Sequence, residues 1–271
     1  MNKTKLSILI IIVWTLTPLL WQLYTSFSTT ESLISPFDNS FKKWTLSNYL
    51  ELFKTDPPFW RYILNSTILA FTTTINALLL SFPAAYVLSK FNRKAYNQYR
   101  IFLFCATLVP YITLFLFLLL VAKYFNLGNN LLALSLPYSF LSLPFGILTL
   151  TAALKSIPNQ IEDAAILEGF DLYQRLRLIF IPLTMPTIAS TSIIIFLFSW
   201  NEYPIALTWI SNSKLMTLPV AIARIGGSSL YSIPYGTYAA ATVLGAIPLL
   251  IIVLVFQKQI ISGLTEGAIK G

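Results

Sequence analysis

Six long apolar runs, at about 6–27, 62–90, 100–125, 130–155, 183–209 and 235–257, constrain this chain more than any other feature. A helix crosses the hydrocarbon core of a bilayer with about 20 residues, and each run reaches that length. The runs are continuous and lack the period-two alternation of barrel strands. Inside lipid every backbone N–H and C=O must find its partner within the segment, so such runs become helices. The expected fold is an all-α polytopic membrane protein with six transmembrane helices. Composition agrees, since 56% of the 271 residues are hydrophobic and 10% are charged, against about 25% charged in soluble domains.

Lys3 and Lys5 ahead of the first run raise the question of a secretory signal. The apolar stretch is longer than a signal core, and TSFSTTES behind it offers no small-residue cleavage site, so the first helix is expected to be retained. With the N-terminus cytoplasmic, six crossings leave Lys3, Lys5, Lys90, Arg93, Lys94, Arg100, Lys155, Arg175, Arg177, Lys258 and Lys270 inside. Lys42, Lys43, Lys54, Arg61, Lys123, Lys214 and Arg224 fall outside. The inner excess, concentrated in the short turn KFNRKAYNQYR, follows the positive-inside rule and places both termini in the cytoplasm. Tyr24, Trp44, Trp60, Tyr62, Tyr96, Tyr99 and Trp209 lie near proposed helix ends, where amphipathic rings favour the interface. The net charge of +8 is therefore mostly topology, and the basic surface that nucleic-acid binding needs is not formed.

Several chemistries are excluded. Cys105 is the single cysteine and there is no histidine, so neither a transition-metal site nor a Ser-His-Asp triad is available. No GxxxxGK[ST] loop is present to cradle a phosphate. The apolar runs hold almost no ionisable residues, which leaves few carriers for a proton or ion relay. Glu202, in SWNEYP, is the one acid close to membrane depth. Energy for any transport must come from a partner.

One polar stretch is built to receive that partner. Residues 162–186 read EDAAILEGFDLYQRLRLIFIPLTMP and place Glu162, Asp163, Glu168 and Asp171 within ten residues. Pro158 suits the first position of a short helix ending near Leu167. Gly169 suits the left-handed residue beyond it, and Asp171 with Gln174 forms a capping box for a second helix. Ile161, Ala164, Ala165 and Glu168 share one face of the first helix, where two alanines let a partner approach the backbone. Glu162 and Asp163 lie on another side, available to cations or to water. Pro182 and Pro186 are expected to break or kink the chain as it re-enters the bilayer. A solvated connector without a partner is the competing reading of the same residues.

Asp163-Ala164-Ala165-Ile166-Leu167-Glu168-Gly169 resembles the cytoplasmic EAA loop of ATP-binding-cassette importer permeases, with aspartate for the first glutamate and Phe170 where that family commonly has alanine. IPLTMP at 181–186 is similar to the downstream I-x-L-P-x-x-x-P. WTLSNY with Leu52-Phe53, RYILNS at 61–66, AAYVLS at 84–89, SWNEY at 199–203, TLPV at 217–220 and GLTEGAIKG at 263–271 resemble the maltose-type second permease of the carbohydrate-uptake branch.

The resemblance implies the type I ABC importer permease fold in a bacterial cell (inner) membrane. It divides the chain into residues 1–60 (first helix and extracytoplasmic loop), 61–262 (permease domain, coupling loop at about 156–180) and 263–271 (cytoplasmic tail). It implies half of the translocation pathway of a binding-protein-dependent importer of a sugar or sugar-like solute. The implied partners are a second permease in a heterodimer, two ATPase subunits, an extracytoplasmic substrate-binding protein and membrane lipid. This chain is then no enzyme: it binds no cofactor, and ATP and Mg are used by the partner ATPase. Glu162, Asp163, Ala164, Ala165, Glu168, Gly169 and Pro182 become the ATPase-coupling set. Thr265, Glu266, Gly267 and Lys270 become candidate ATPase contacts in the tail. Trp200, Asn201, Glu202 and Tyr203 are candidates for the substrate pathway or, equally, an interfacial anchor. Arg224 to Ser229 resembles an outer segment that meets the binding protein. Alternatives are a self-contained secondary transporter, for which neither internal repeats nor midplane charges are present, and a permease of the same architecture for a polyamine, phosphate ester or amino acid.

Overall fold

The computed structural model describes residues 3–34, 44–225 and 234–266. The elements are α1 (Lys3–Ser26), α2 (Thr30–Ile34), α3 (Ser47–Lys54), α4 (Phe59–Ser89), α5 (Arg93–Leu108), α6 (Tyr111–Tyr124), α7 (Leu131–Lys155), α8 (Asn159–Leu167), α9 (Leu172–Arg175), α10 (Ile181–Asn201), α11 (Pro204–Trp209), α12 (Leu218–Ala223) and α13 (Tyr235–Glu266). The chain falls into two compact units, Met1–Leu64 with Met216–Leu250 and Asn65–Leu215 with Ile251–Gly271.

Among the described residues, five helices are long and apolar enough to cross a membrane: Lys5–Ser26, Phe59–Ser89, Leu131–Lys155, Leu172–Asn201 and Tyr235–Gln259. They correspond to five of the six apolar runs. The third run differs, because it is divided into α5 and α6, of 16 and 14 residues. Val109 and Pro110 between them are extended. Pro110 has no N–H to donate and disfavours the helical region in the residue before it, so the helix stops there. The fifth run ends earlier than expected, at Asn201 instead of residue 209, and α11 is a separate helix. The chain leaves the helix at Glu202, which is extended (ψ 131°), and Pro204 opens α11 as its first residue, where its missing N–H costs nothing.

Pro182 and Pro186 do not break the chain. The helix runs without interruption from Leu172 to Asn201, with a π-helical turn at Leu176–Phe180 directly ahead of Pro182. In an α-turn the proline ring would meet the carbonyl of Leu178, four residues back; the wider turn relieves that clash.

The larger unit is built on α4, α7 and α10. Ala70, Ala77 and Ala85 on α4 are fully buried, and small residues let membrane helices approach closely. Hydroxyl and amide groups bridge the gaps: Asn76 donates to Ser135 Oγ (3.3 Å), Ser199 donates to Thr73 Oγ1 (3.2 Å), and Thr149 meets Thr191 (3.1 Å). Asn65 donates to the Lys214 carbonyl (3.1 Å), whereas Asn201 donates to the Leu197 carbonyl of its own helix (2.8 Å).

The smaller unit explains the WTLSNY motif. Ser28 and Trp44 form an antiparallel bridge, and buried Asn48 donates to the carbonyls of Ser26 (2.9 Å) and Ser28 (3.0 Å). Tyr49 and Ser26 share a hydrogen bond of 2.7 Å. Gly236 at the start of α13 lies against this knot, where a Cβ would come within 2.6 Å of the Ser28 carbonyl oxygen. Most of α1 exposes its apolar side chains.

Candidate functional site

The polar segment between α7 and α10 folds as two short helices around one glycine. Pro158 is the N-cap residue of α8, one position earlier than expected; its φ of −59° lies in the range of the helix but its ψ of 136° does not. The C-terminus closes as a Schellman motif: Gly169 N–H donates to Ile166 O and Phe170 N–H to Ala165 O, both at 3.0 Å. Gly169 has φ +84°, the left-handed conformation this motif requires. Two residues on, the capping box is complete, with Gln174 N–H donating to Asp171 Oδ1 (2.7 Å) and Asp171 N–H to Gln174 Oε1 (2.9 Å). Both turns are locked through backbone groups, so the pair of helices holds its shape.

The orientation of α8 differs from the expected one. Its two buried residues are Glu162 and Ala165, three apart on one face. Glu162 is 8% exposed and takes three side-chain donors. Tyr86 Oη donates to Oε1 (2.5 Å), Arg175 Nη1 donates to the same oxygen (2.8 Å), and Lys90 Nζ pairs with Oε2. Lys90 also sits 5.1 Å from the centre of the Phe180 ring, and Tyr86 packs edge-on against that ring. Burial alone would raise the Glu162 carboxyl. Hydrogen bonds from Lys90 and Tyr86, with the charges of Lys90 and Arg175, outweigh it and hold the carboxyl below its ordinary value. Glu162 and Ala165, assigned from sequence to a partner, are turned toward their own unit because this ion pair fixes the roll of the helix.

The outward face of α8 is then Ile161, Asp163, Ala164, Ile166, Leu167, Glu168 and Gly169, all exposed. Leu167 is 89% exposed, and Leu172 and Tyr173 continue the apolar surface. Pro182 is exposed but belongs to the continuous helix beyond the π turn. Sequence reasoning missed Tyr86 and Lys90 as partners of Glu162. The signal was weak: a cation one residue past the end of an apolar helix, in a chain with few acids. The apolar prominence of Leu167 and Tyr173 was legible but passed over in favour of the alanines.

At the opposite end of α10 the four SWNEY candidates point different ways. Trp200 is buried and stacks on Phe196 (5.7 Å), Asn201 is exposed, and Tyr203 is half-buried. Glu202 is 5% exposed. It accepts from the backbone N–H groups of Ile205 (2.8 Å) and Ala206 (3.1 Å) and from the Tyr138 hydroxyl. This carboxylate caps α11, satisfying the free N–H groups of its first turn. Proline at the first position of α11 was the available signal for that role. The four residues therefore do not converge on one open surface. In the tail, the backbone of Thr265 and Glu266 continues α13, while Gly267 and Lys270 lie outside the described residues. So do residues 226–229 of the outer loop.

The fold aligns with that of a chain in the crystal structure of a bacterial ABC transporter involved in the import of the acidic polysaccharide alginate, at TM-score 0.77, 20% identity and 94% coverage of both chains. A second solved structure, of a bacterial alginate ABC transporter in complex with alginate pentasaccharide-bound periplasmic protein, aligns at TM-score 0.62 and 17% identity, covering 90% of this chain and 93% of that one. The family model of binding-protein-dependent transport system inner membrane components matches residues 77–265, and this chain belongs to that family. The sulfoquinovosyl glycerol transport permease SmoH of Agrobacterium fabrum is 34% identical over 97% of this chain and 91% of its own length. The trehalose/maltose transport permease MalG of Thermococcus litoralis is 32% identical over 94% and 91%. The trehalose transport permease SugB of Mycobacterium tuberculosis is 34% identical over 84% and 82%. The chain is thus a multi-pass membrane permease of a binding-protein-dependent transport system.

Proposed function

We propose that this permease imports a sugar or sugar-like solute, and that α8 with its Gly169 turn is the surface on which an ATPase subunit docks. The observation that carries the docking reading is the exposed face of α8. Leu167 stands clear of its own protein, flanked by Asp163 and Glu168, on a pair of helices that backbone caps hold in shape. Ile161, Ile166 and Leu167 are all exposed on this one short helix outside the membrane-spanning helices; exposed apolar side chains gathered into a patch mark an interaction site, and a rigid patch transmits displacement where a flexible tether would absorb it. Asp163, Ala164, Ile166, Leu167, Glu168 and Gly169 make the contact. ATP and Mg belong to the ATPase, a second permease completes the pathway, and a binding protein delivers the solute. ATP shifts the transporter between two states by its different affinity for each. The sugar assignment follows the cargoes named for SmoH, MalG and SugB. The cytoplasmic side for α8 follows the distribution of lysine and arginine.

The test is co-purification of the chain from its native membrane in mild detergent, with identification of bound proteins. The assembly is then reconstituted with its binding protein and supplied with radiolabelled trehalose, maltose and diacetylchitobiose. An attached ATPase with ATP-dependent uptake of one of these supports the reading. Recovery of the chain alone, with no ATPase even after cross-linking at 162–175, sinks the docking role. ATPase association without saccharide uptake, with uptake of a polyamine, phosphate ester or amino acid instead, sinks the sugar assignment alone.

A further inference from the structure

Inside the docking segment, Glu162 does something that the exposed residues around it cannot. The chain itself joins α8 to α7 through Ser156–Pro158 and to α9 through Gly169. Nothing covalent joins α8 to α4, whose last turn lies some seventy residues earlier: Tyr86 and Lys90 are separated from Glu162 by 76 and 72 positions. The apolar cluster beneath the segment is formed by Ala85, Leu150, Leu154 and Phe180, with Leu78, Phe82, Tyr86, Ile147, Ile157, Leu176 and Ile188 around it. It takes residues from α4, α7, the connector ahead of α8, the π turn and α10. Ala165 of α8 is buried as well, but the directional tie between the docking helix and the end of α4 is polar, and it passes through one carboxylate.

That carboxylate is divided between elements. Oε1 is held by Tyr86 of α4 and by Arg175 of α9, and Oε2 is held by Lys90, one residue beyond α4. Arg175 ends the short helix that continues through the π turn into α10. A displacement of α8 thus reaches two membrane helices at once, α4 through Tyr86 and Lys90 and α10 through Arg175. Apolar contacts alone would let α8 slide; charge-assisted hydrogen bonds of fixed direction do not.

We infer that Glu162 is a positioning residue of the transport cycle, fastening the docking helix to the end of α4 so that movement of one is movement of the other. The inference rests on the docking reading above. Glu162 touches no partner; it decides whether what the partner does to α8 arrives in the membrane.

The test uses the assembled importer in lipid vesicles and reads the ratio of saccharide taken up to ATP hydrolysed, with whichever of trehalose, maltose or diacetylchitobiose the wild type accumulates. Glu162→Gln and Lys90→Met are expected to lower that ratio about fivefold or more while the ATPase still co-purifies and hydrolyses ATP. Lys90→Arg, which keeps the cation, is expected to retain a ratio near wild type. A role in folding alone would lower yield and both activities together and leave the ratio unchanged. An unchanged ratio in Glu162→Gln and Lys90→Met overturns the inference. So does loss of the ATPase subunit from both variants, because the cluster would then serve docking and not transmission. A wild-type preparation without an ATPase fails at an earlier and separate step, the docking reading itself.

Discussion

Two buried glutamates in the larger unit solve the same problem in opposite ways. Glu162 is surrounded by charge: Lys90, Arg175 and a tyrosine hydroxyl converge on it from α4 and α9. Glu202 has a tyrosine hydroxyl and two backbone N–H groups, and among the described residues no lysine or arginine pairs with it. The first is a knot between distant parts of the chain, and its value depends on its charge. The second caps α11 and meets Tyr138 of α7, and its value depends on accepting hydrogen bonds. An uncharged side chain of the same shape should therefore be a severe change at one position and a mild one at the other.

The largest expected effect follows at Glu162. Replacing it by glutamine strands two cations in a partly buried site, and removing one partner of a buried pair costs about 3–5 kcal/mol. Lys90 is partly solvated, so about 3 kcal/mol is expected here, read as a fall in the thermal unfolding midpoint in detergent. The pH dependence sharpens the same point. The folded carboxyl titrates below its ordinary value of 4.5, so its contribution is complete above that value and is lost as pH falls through the folded one. Wild type and Glu162→Gln should differ by a constant amount from pH 7 to about 5, then converge under more acid conditions. A gap that closes instead near neutrality would mean that the carboxylate is not held by cations.

Glu202→Gln comes next, at about 1 kcal/mol, the scale of a capping interaction that is weakened without being abolished. If this variant is the more damaging of the two, the contrast drawn above is wrong. An effect no larger is expected at Gly169. The site has open space for a methyl group, with nothing within 4 Å, but a φ of +84°. Gly169→Ala should therefore cost about 1 kcal/mol through backbone conformation alone, and Gly169→Asn less. Gly169→Val should weaken ATPase association while membrane insertion stays normal; unimpaired transport in that variant would remove the turn from the docking surface.

Local chemistry was legible in the sequence. Five of the six long apolar runs, the left-handed residue at Gly169 and the reciprocal caps of Asp171 and Gln174 are each determined locally and are found in the structure; the third run is divided at Pro110 and the fifth ends short of residue 209. What escaped the sequence depends on tertiary partners. Whether α8 turns Glu162 outward or inward is decided by Lys90 and Tyr86, which no helical periodicity around Glu162 reveals. Proline was ambiguous for the same reason. Pro110 stands at a helix break and Pro204 begins a helix, whereas Pro83 and Pro144 sit within unbroken ones, and a membrane helix accommodates or rejects a proline according to what surrounds it. Glu202 was read as a pathway or anchoring residue because its depth was visible and its capped helix was not.

The π turn at Leu176–Phe180 has a consequence for how the rest of its helix is addressed. Such a turn carries one residue more than an α-turn would, and one residue corresponds to about 100° of rotation. Every side chain from Pro182 onward is clocked by that amount relative to the segment on which α9 begins. Thr184, Thr191, Ile195 and Ser199 face inward only in this phase. Deleting a single residue there would leave composition, length and hydrophobicity almost untouched, yet would turn the inner stripe of α10 toward lipid.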